Sequence, residues 1–171
     1  MIKKNIPNFF TSLNLICGCL ASYFAFKSLF EAAFILVLVG VFFDLFDGFF
    51  ARLLKVESNF GLQFDSMADL ITSGLVPGIV MYKLLLQVGI KEMDFSINII
   101  NVDFIFSFSP LAIIGFIITL SSAIRLTRFN LDISQKDEFS GLPAPANALF
   151  IVSLPILFDH PFFNSLKPFV F

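Results

Sequence analysis

Residues 44–69 read DLFDGFFARLLKVESNFGLQFDSMAD and set Asp44, Asp47, Asp65 and Asp69 inside or at the ends of two strongly apolar segments. Charged side chains in such segments are costly and usually mark a site. The pattern is Asp-x-x-Asp-Gly-x-x-Ala-Arg, eight further residues, then Gly-x-x-x-Asp-x-x-x-Asp. At roughly 100° per helical residue, Asp44, Asp47, Gly48, Ala51 and Arg52 fall within about 140° of arc. Gly61, Asp65 and Asp69 follow i, i+4, i+8 and share a narrower stripe of roughly 80°. Two such stripes facing each other gather the carboxylates into one polar pocket, with glycines leaving room for a ligand to approach.

Carboxylates this close in a low dielectric cannot all stay ionised unless cations neutralise them. An oxygen-only donor set points to hard divalent ions such as Mg²⁺, Mn²⁺ or Ca²⁺ and away from zinc. No Cys or His lies between Asp44 and Asp69. A pair of such ions suits phosphoryl chemistry, in which metals clamp the oxygens of an in-line displacement.

The composition places this pocket in a membrane. Of 171 residues, 57% are hydrophobic and only 14% charged, and the mean hydropathy is +0.90, well away from a soluble domain. The fold class expected is all-α, a polytopic transmembrane bundle of about five spans forming a single domain over residues 1–171. Nucleic acid is excluded as a partner, because there is no basic tract and little aromatic–basic interleaving. Cys17 and Cys19 read as small apolar core residues; His160 has no evident partner.

Phe9 to Phe26 is long for a signal h-region and no small-x-small cleavage site follows, so a retained first span is expected, with Asn14 as a buried polar group. Ala32 to Leu54 is the second span. Gly61 to Val88 is the third, capped by Ser58 or Asn59 and kinked at Pro77-Gly78. Gly89 to Asp103 reads as a mixed linker, and the fourth span starts at Phe104 or Pro110 and runs to Leu126. After a polar loop from Leu131 to Ser140, a fifth segment covers Ala146 to Phe158, short for a full crossing. With the N-terminus in the cytoplasm, Lys3, Lys4, Arg52, Lys55, Arg125, Arg128 and Lys136 all fall inside, which turns the acidic pocket toward the cytoplasm.

With all eight fixed positions present (Asp44, Asp47, Gly48, Ala51, Arg52, Gly61, Asp65 and Asp69), the central stretch resembles the signature of the CDP-alcohol phosphotransferase family of membrane enzymes. Pro7-Asn8 with Thr11 and Asn14, the RLTRFN run at Arg125–Asn130, and GLPAP at Gly141–Pro145 resemble the bacterial membrane-embedded phosphatidylserine synthases within it. The resemblance implies transfer of the phosphatidyl group of CDP-diacylglycerol to L-serine, with CMP released. It implies Asp44, Asp47, Asp65 and Asp69 as holders of two Mg²⁺ or Mn²⁺ ions, and Asp69 also as general base. Gly48, Arg52, Gly61 and Asn14 are implied at the nucleotide and pyrophosphate, and Arg125 and Arg128 at the acceptor carboxylate or a lipid phosphate.

The setting implied is the bacterial inner membrane, among membrane lipids. The family usually has six helices against about five here, so a truncated or vestigial C-terminal helix is expected, which bears on the family's usual homodimer. Glycerol 3-phosphate or inositol as acceptor, and a non-catalytic cation carrier built on the same aspartates, are the competing readings. Arg52 on the acidic stripe speaks against a carrier, since it repels a permeating cation and suits a pyrophosphate.

Overall fold

The computed structural model describes residues 5–56, 58–87, 93–99, 102–131 and 143–159. Of the loop expected from Leu131 to Ser140, Leu131 belongs to the preceding helix, while residues 132–140, Gly141, Leu142 and His160 lie outside the described residues. Among the described residues four helices are long and apolar enough to cross a membrane, and the chain is an integral membrane protein of the polytopic helical kind.

Helix α1 (Asn5–Phe26) and helix α2 (Phe30–Leu54) form an antiparallel hairpin. Ser28 takes φ 59° at the turn between them. Ala21, Ala25, Ala33 and Val37 are fully buried, while Phe9, Ile16, Leu20, Ile35, Leu38 and Phe42 face outward. Small residues let two helix backbones approach closely in a bilayer, where outward apolar groups meet lipid. Phe10 fixes the other end, stacking on Phe50 at 5.2 Å and Phe46 at 6.0 Å.

The third span is continuous over Asn59–Gln87. It begins as α3 (Asn59–Asp69), where the Gly61 N–H donates to the Ser58 hydroxyl at 3.0 Å, the expected cap. It ends as α4 (Val76–Gln87). Between them Leu70–Leu75 forms a π-helical turn, closed by the Val76 N–H donating to the Ile71 carbonyl. The irregularity expected at Pro77-Gly78 thus sits one turn earlier. Proline lacks an N–H and its ring crowds the carbonyl four residues back, here Ser73. Widening the preceding turn relieves both.

Two further expectations are corrected. The linker and the first residues assigned to the fourth span form an antiparallel hairpin, β1 (Met93–Ile99) and β2 (Val102–Phe108), with Met93 opposite Phe108 and Ile99 opposite Val102. The fourth span therefore starts after Pro110. Ser109 caps it by accepting from the Ala112 N–H at 3.2 Å, a 3₁₀ turn follows at Ala112–Phe116, and α5 (Ile117–Leu131) completes it. Helix α6 (Ala144–Asp159) has 16 residues, Pro155 among them, and so spans only about 24 Å. Cys17 is buried as expected, but Cys19 is exposed. The core collects Val37, Val76, Val80 and Val152 from α2, α4 and α6 around the alanines of α1 and α2.

Candidate active site

The acidic stripes of α2 and α3 do face each other. Asp44, Asp47 and Asp65 each offer a carboxylate oxygen, all within 4.8 Å of one another. The Asp44 carboxyl also lies in side-chain contact with both Asp65 and Asp69. Asp69 thus borders the triad through Asp44, one turn deeper along α3 than Asp65.

Helix α1 supplies the supports. The Thr11 hydroxyl donates to Asp47 Oδ2 at 2.5 Å, and Asp47 is only 5% exposed. Asn14 Nδ2 donates to Asp69 Oδ1 at 3.2 Å. Thr11 and Asn14 are three residues apart and so present to the same side of α1. The Thr72 hydroxyl, on the π-helical turn, donates to Asn14 Oδ1 at 2.8 Å. From α5, Asn130 Nδ2 donates to the Ser66 hydroxyl at 2.9 Å, holding the flank of α3 beside Asp65.

The donor set fits a divalent cation. All ligands are carboxylate oxygens, as hard ions require. Asp65 Oδ1 is buried and has no hydrogen-bond partner among the described residues, an arrangement that is costly unless something else engages the oxygen.

The other expected site residues spread outward from this centre. Gly48 is half-buried, and its carbonyl accepts from Nε of exposed Arg52 at 3.1 Å. Gly61 lies at the start of α3, where an added Cβ would come within 3.2 Å of Ser58 Oγ and 3.5 Å of Asn8 Oδ1. Asn14, expected at the nucleotide, is fully buried with its amide engaged inside the bundle. The arginine pair divides. Arg125 is half-buried and lines a cavity of about 290 Å³ between α5 and α6, with Ser121, Ser122 and Asn147. Arg128 is exposed and does not line it.

A family model described as CDP-alcohol phosphatidyltransferase matches residues 4–169. The chain belongs to this family. Enzymes of the CDP-alcohol phosphatidyltransferase family are generally dependent on a divalent metal, and the aspartate cluster provides the oxygens for one. Among curated proteins, the chain is 31% identical over 159 residues to a CDP-diacylglycerol–serine O-phosphatidyltransferase of Helicobacter pylori, covering 91% of this chain and 59% of that protein. It is 30% identical over 158 residues to the protein of that name in Bacillus subtilis, covering 90% and 77%. An archaetidylserine synthase of Methanothermobacter thermautotrophicus is 31% identical over 150 residues, covering 86% and 56%. The chain therefore spans less than two thirds of the length of two of these three relatives. No solved structure matches it.

Thr72 was not legible as a site support, and Asn130, though part of the RLTRFN run, was not legible as the partner of Ser66. Each is one polar residue among several in its segment, and each partner lies about 60 positions away in the chain.

Proposed function

We propose that this chain is a CDP-diacylglycerol–serine O-phosphatidyltransferase, a single domain that moves the phosphatidyl group from CDP-diacylglycerol to the hydroxyl of L-serine. The observation that carries this reading is the convergence of Asp44, Asp47 and Asp65 oxygens within 4.8 Å, with Asp69 alongside. The names of the curated relatives support serine as the acceptor.

In this reading the serine hydroxyl attacks the lipid-side phosphorus of the pyrophosphate. A new P–O bond forms to serine, the P–O bond to the CMP phosphate breaks, and CMP departs with the bond electrons. Asp69 takes the hydroxyl proton, since a protonated alcohol is a poor nucleophile. Asp44, Asp47, Asp65 and Asp69 would hold two Mg²⁺ or Mn²⁺ ions, which supply charge neutralisation for the pyrophosphate and the leaving phosphate. Arg52 meets the pyrophosphate at the mouth of the site, with Gly48 and Gly61 giving the nucleotide close access to backbone.

Arg125 binds the acceptor carboxylate. The cavity that it lines with Ser121, Ser122 and Asn147 supports this, being ample for an amino acid. Arg128 serves as a membrane-boundary anchor or a lipid-phosphate contact. The distribution of Lys and Arg supports an inner-membrane protein with its N-terminus and site toward the cytoplasm, and the family resemblance suggests a homodimer.

CMP release by purified protein with CDP-diacylglycerol and Mg²⁺ or Mn²⁺, comparing L-serine, glycerol 3-phosphate, inositol and no acceptor, tests the assignment. Release with serine alone is expected. Equal release with another alcohol overturns the acceptor, and cation flux into liposomes without CMP release overturns the enzyme.

A further inference from the structure

We propose that Thr72 is a positioning residue for Asp69, acting through the side-chain amide of Asn14. The inference rests on the reading of Asp69 as the proton acceptor and extends it to a residue outside the aspartate motif.

Asn14 and Thr72 are both 0% exposed, so each polar atom must find its partner inside the protein. The Thr72 hydroxyl has two acceptors in reach, Asn14 Oδ1 at 2.8 Å and the Asn14 backbone carbonyl at 3.3 Å. Neither can donate, so the hydroxyl proton points at Asn14. The amide oxygen is thereby engaged, and its nitrogen is the end left to face Asp69 Oδ1, 3.2 Å away. The reverse orientation would set an amide oxygen against a carboxylate, two acceptors facing each other. The acceptor-only Asp69 carboxylate selects the amide nitrogen, and the Thr72 hydroxyl anchors the amide in that place by donating to its oxygen. One Asp69 oxygen is held by the amide, and Oδ2 stays free of it.

The surrounding backbone is shaped to this relay. A Cβ at Gly18 would fall 2.5 Å from Thr72 Oγ1, and one at Gly40 would fall 3.0 Å from both Asn14 Oδ1 and Thr72 Cγ2. Glycines on α1 and α2 therefore close around the Asn14–Thr72 pair with no room for another side chain. The π-helical turn that follows Asp69 contributes by burying Thr72, Ser73 and Gly74 in succession. Such turns recur at functional sites.

The test uses the full chain with Thr72→Val, Thr72→Ser, Asn14→Ala and the Thr72→Val/Asn14→Ala double variant. Valine keeps the shape and removes the hydroxyl; serine keeps the hydroxyl. The readouts are kcat and KM for CMP release, and Mn²⁺ affinity by electron paramagnetic resonance on substrate-free protein. Loss of a partner that orients a ligand costs about 10–100-fold in activity or metal affinity. Thr72→Val is expected to lose at least about 10-fold in kcat and in Mn²⁺ affinity, with KM for CDP-diacylglycerol little changed and serine restoring most of both. The double variant is expected to be no worse than Asn14→Ala alone, because Thr72 acts only through that amide. Wild-type turnover and Mn²⁺ affinity in Thr72→Val, or losses that multiply in the double variant, overturn the proposal. Asp69→Asn separates the two readings: full turnover there overturns Asp69 as base, while non-additive loss of Mn²⁺ affinity in the Thr72 and Asn14 variants still supports the positioning.

Discussion

The Thr11 hydroxyl donates to Asp47 Oδ2 at 2.5 Å across the α1–α2 interface, 36 residues apart in sequence and buried. This contact and the Asn14–Asp69 bond make α1 the shared brace for an acidic centre whose carboxylates come from two other segments. The aspartates are therefore aimed by residues that bear no charge themselves.

Removing that brace is expected to loosen the centre. Thr11→Val should reduce divalent-ion affinity about 10–100-fold, read by Mn²⁺ titration, with a parallel rise in the Mg²⁺ concentration needed for half-maximal CMP release. Unchanged Mn²⁺ affinity would show that Asp47 needs no orientation from α1.

Asp65 offers a test of the proposed metal requirement that needs no turnover. Its Oδ1 is buried without a hydrogen-bond partner among the described residues, so an ion bound there would stabilise the folded state by mass action. Wild-type protein in detergent is expected to melt at a lower temperature in EDTA than in excess Mg²⁺. Asp65→Asn should remove most of that difference and sharply lower CMP release, because the ion's charge stabilisation is lost with it. A Mg²⁺-independent melting temperature in the wild type would contradict the metal reading.

The two arginines of the RLTRFN run should separate kinetically. Arg125 lines the α5–α6 cavity, whereas Arg128 is exposed and does not. Arg125→Ala is expected to raise KM for serine about 10-fold or more, the loss of one charge-assisted hydrogen bond, and to leave KM for CDP-diacylglycerol near its original value. Arg128→Ala should change either constant less than about threefold. The opposite ranking would move the acceptor site.

Gly40 tests how tightly the brace is packed. A Cβ there would meet Asn14 Oδ1 and Thr72 Cγ2 at 3.0 Å. Overpacking of this kind costs roughly 1–3 kcal/mol. Gly40→Ala should lower the melting temperature in detergent and reduce kcat together; an unaffected variant would show slack around Asn14.

The aspartate motif was legible because its carboxylates break the apolar background at helical spacing, so periodicity put them on one stripe per helix; that the stripes face each other came from the structure. The helical bundle was legible for the same reason, from long apolar runs. Other features depend on contacts that no local pattern carries. Thr72 becomes a support only because α1 brings Asn14 to it, and a threonine in an apolar helix otherwise reads as filler. Pro77 announced an irregularity but not its form, because the disturbed carbonyl lies four residues upstream. The hairpin was readable and missed. Asp94-Phe95-Ser96-Ile97 alternates with period two, but the charges nearby suggested a linker. The length of α6 stayed open in the sequence, since Pro143 and Pro145 permit a helix start at either side.

The most direct measurement is incorporation of labelled L-serine into chloroform-soluble lipid by the purified chain with CDP-diacylglycerol and Mn²⁺, run beside Asp69→Asn and an EDTA control. Serine-labelled lipid appearing in equal amount with CMP, and abolished in both controls, is the expected result. Labelled lipid formed undiminished by Asp69→Asn, or in EDTA, would contradict a carboxylate–metal centre on α2 and α3 as the seat of the transfer.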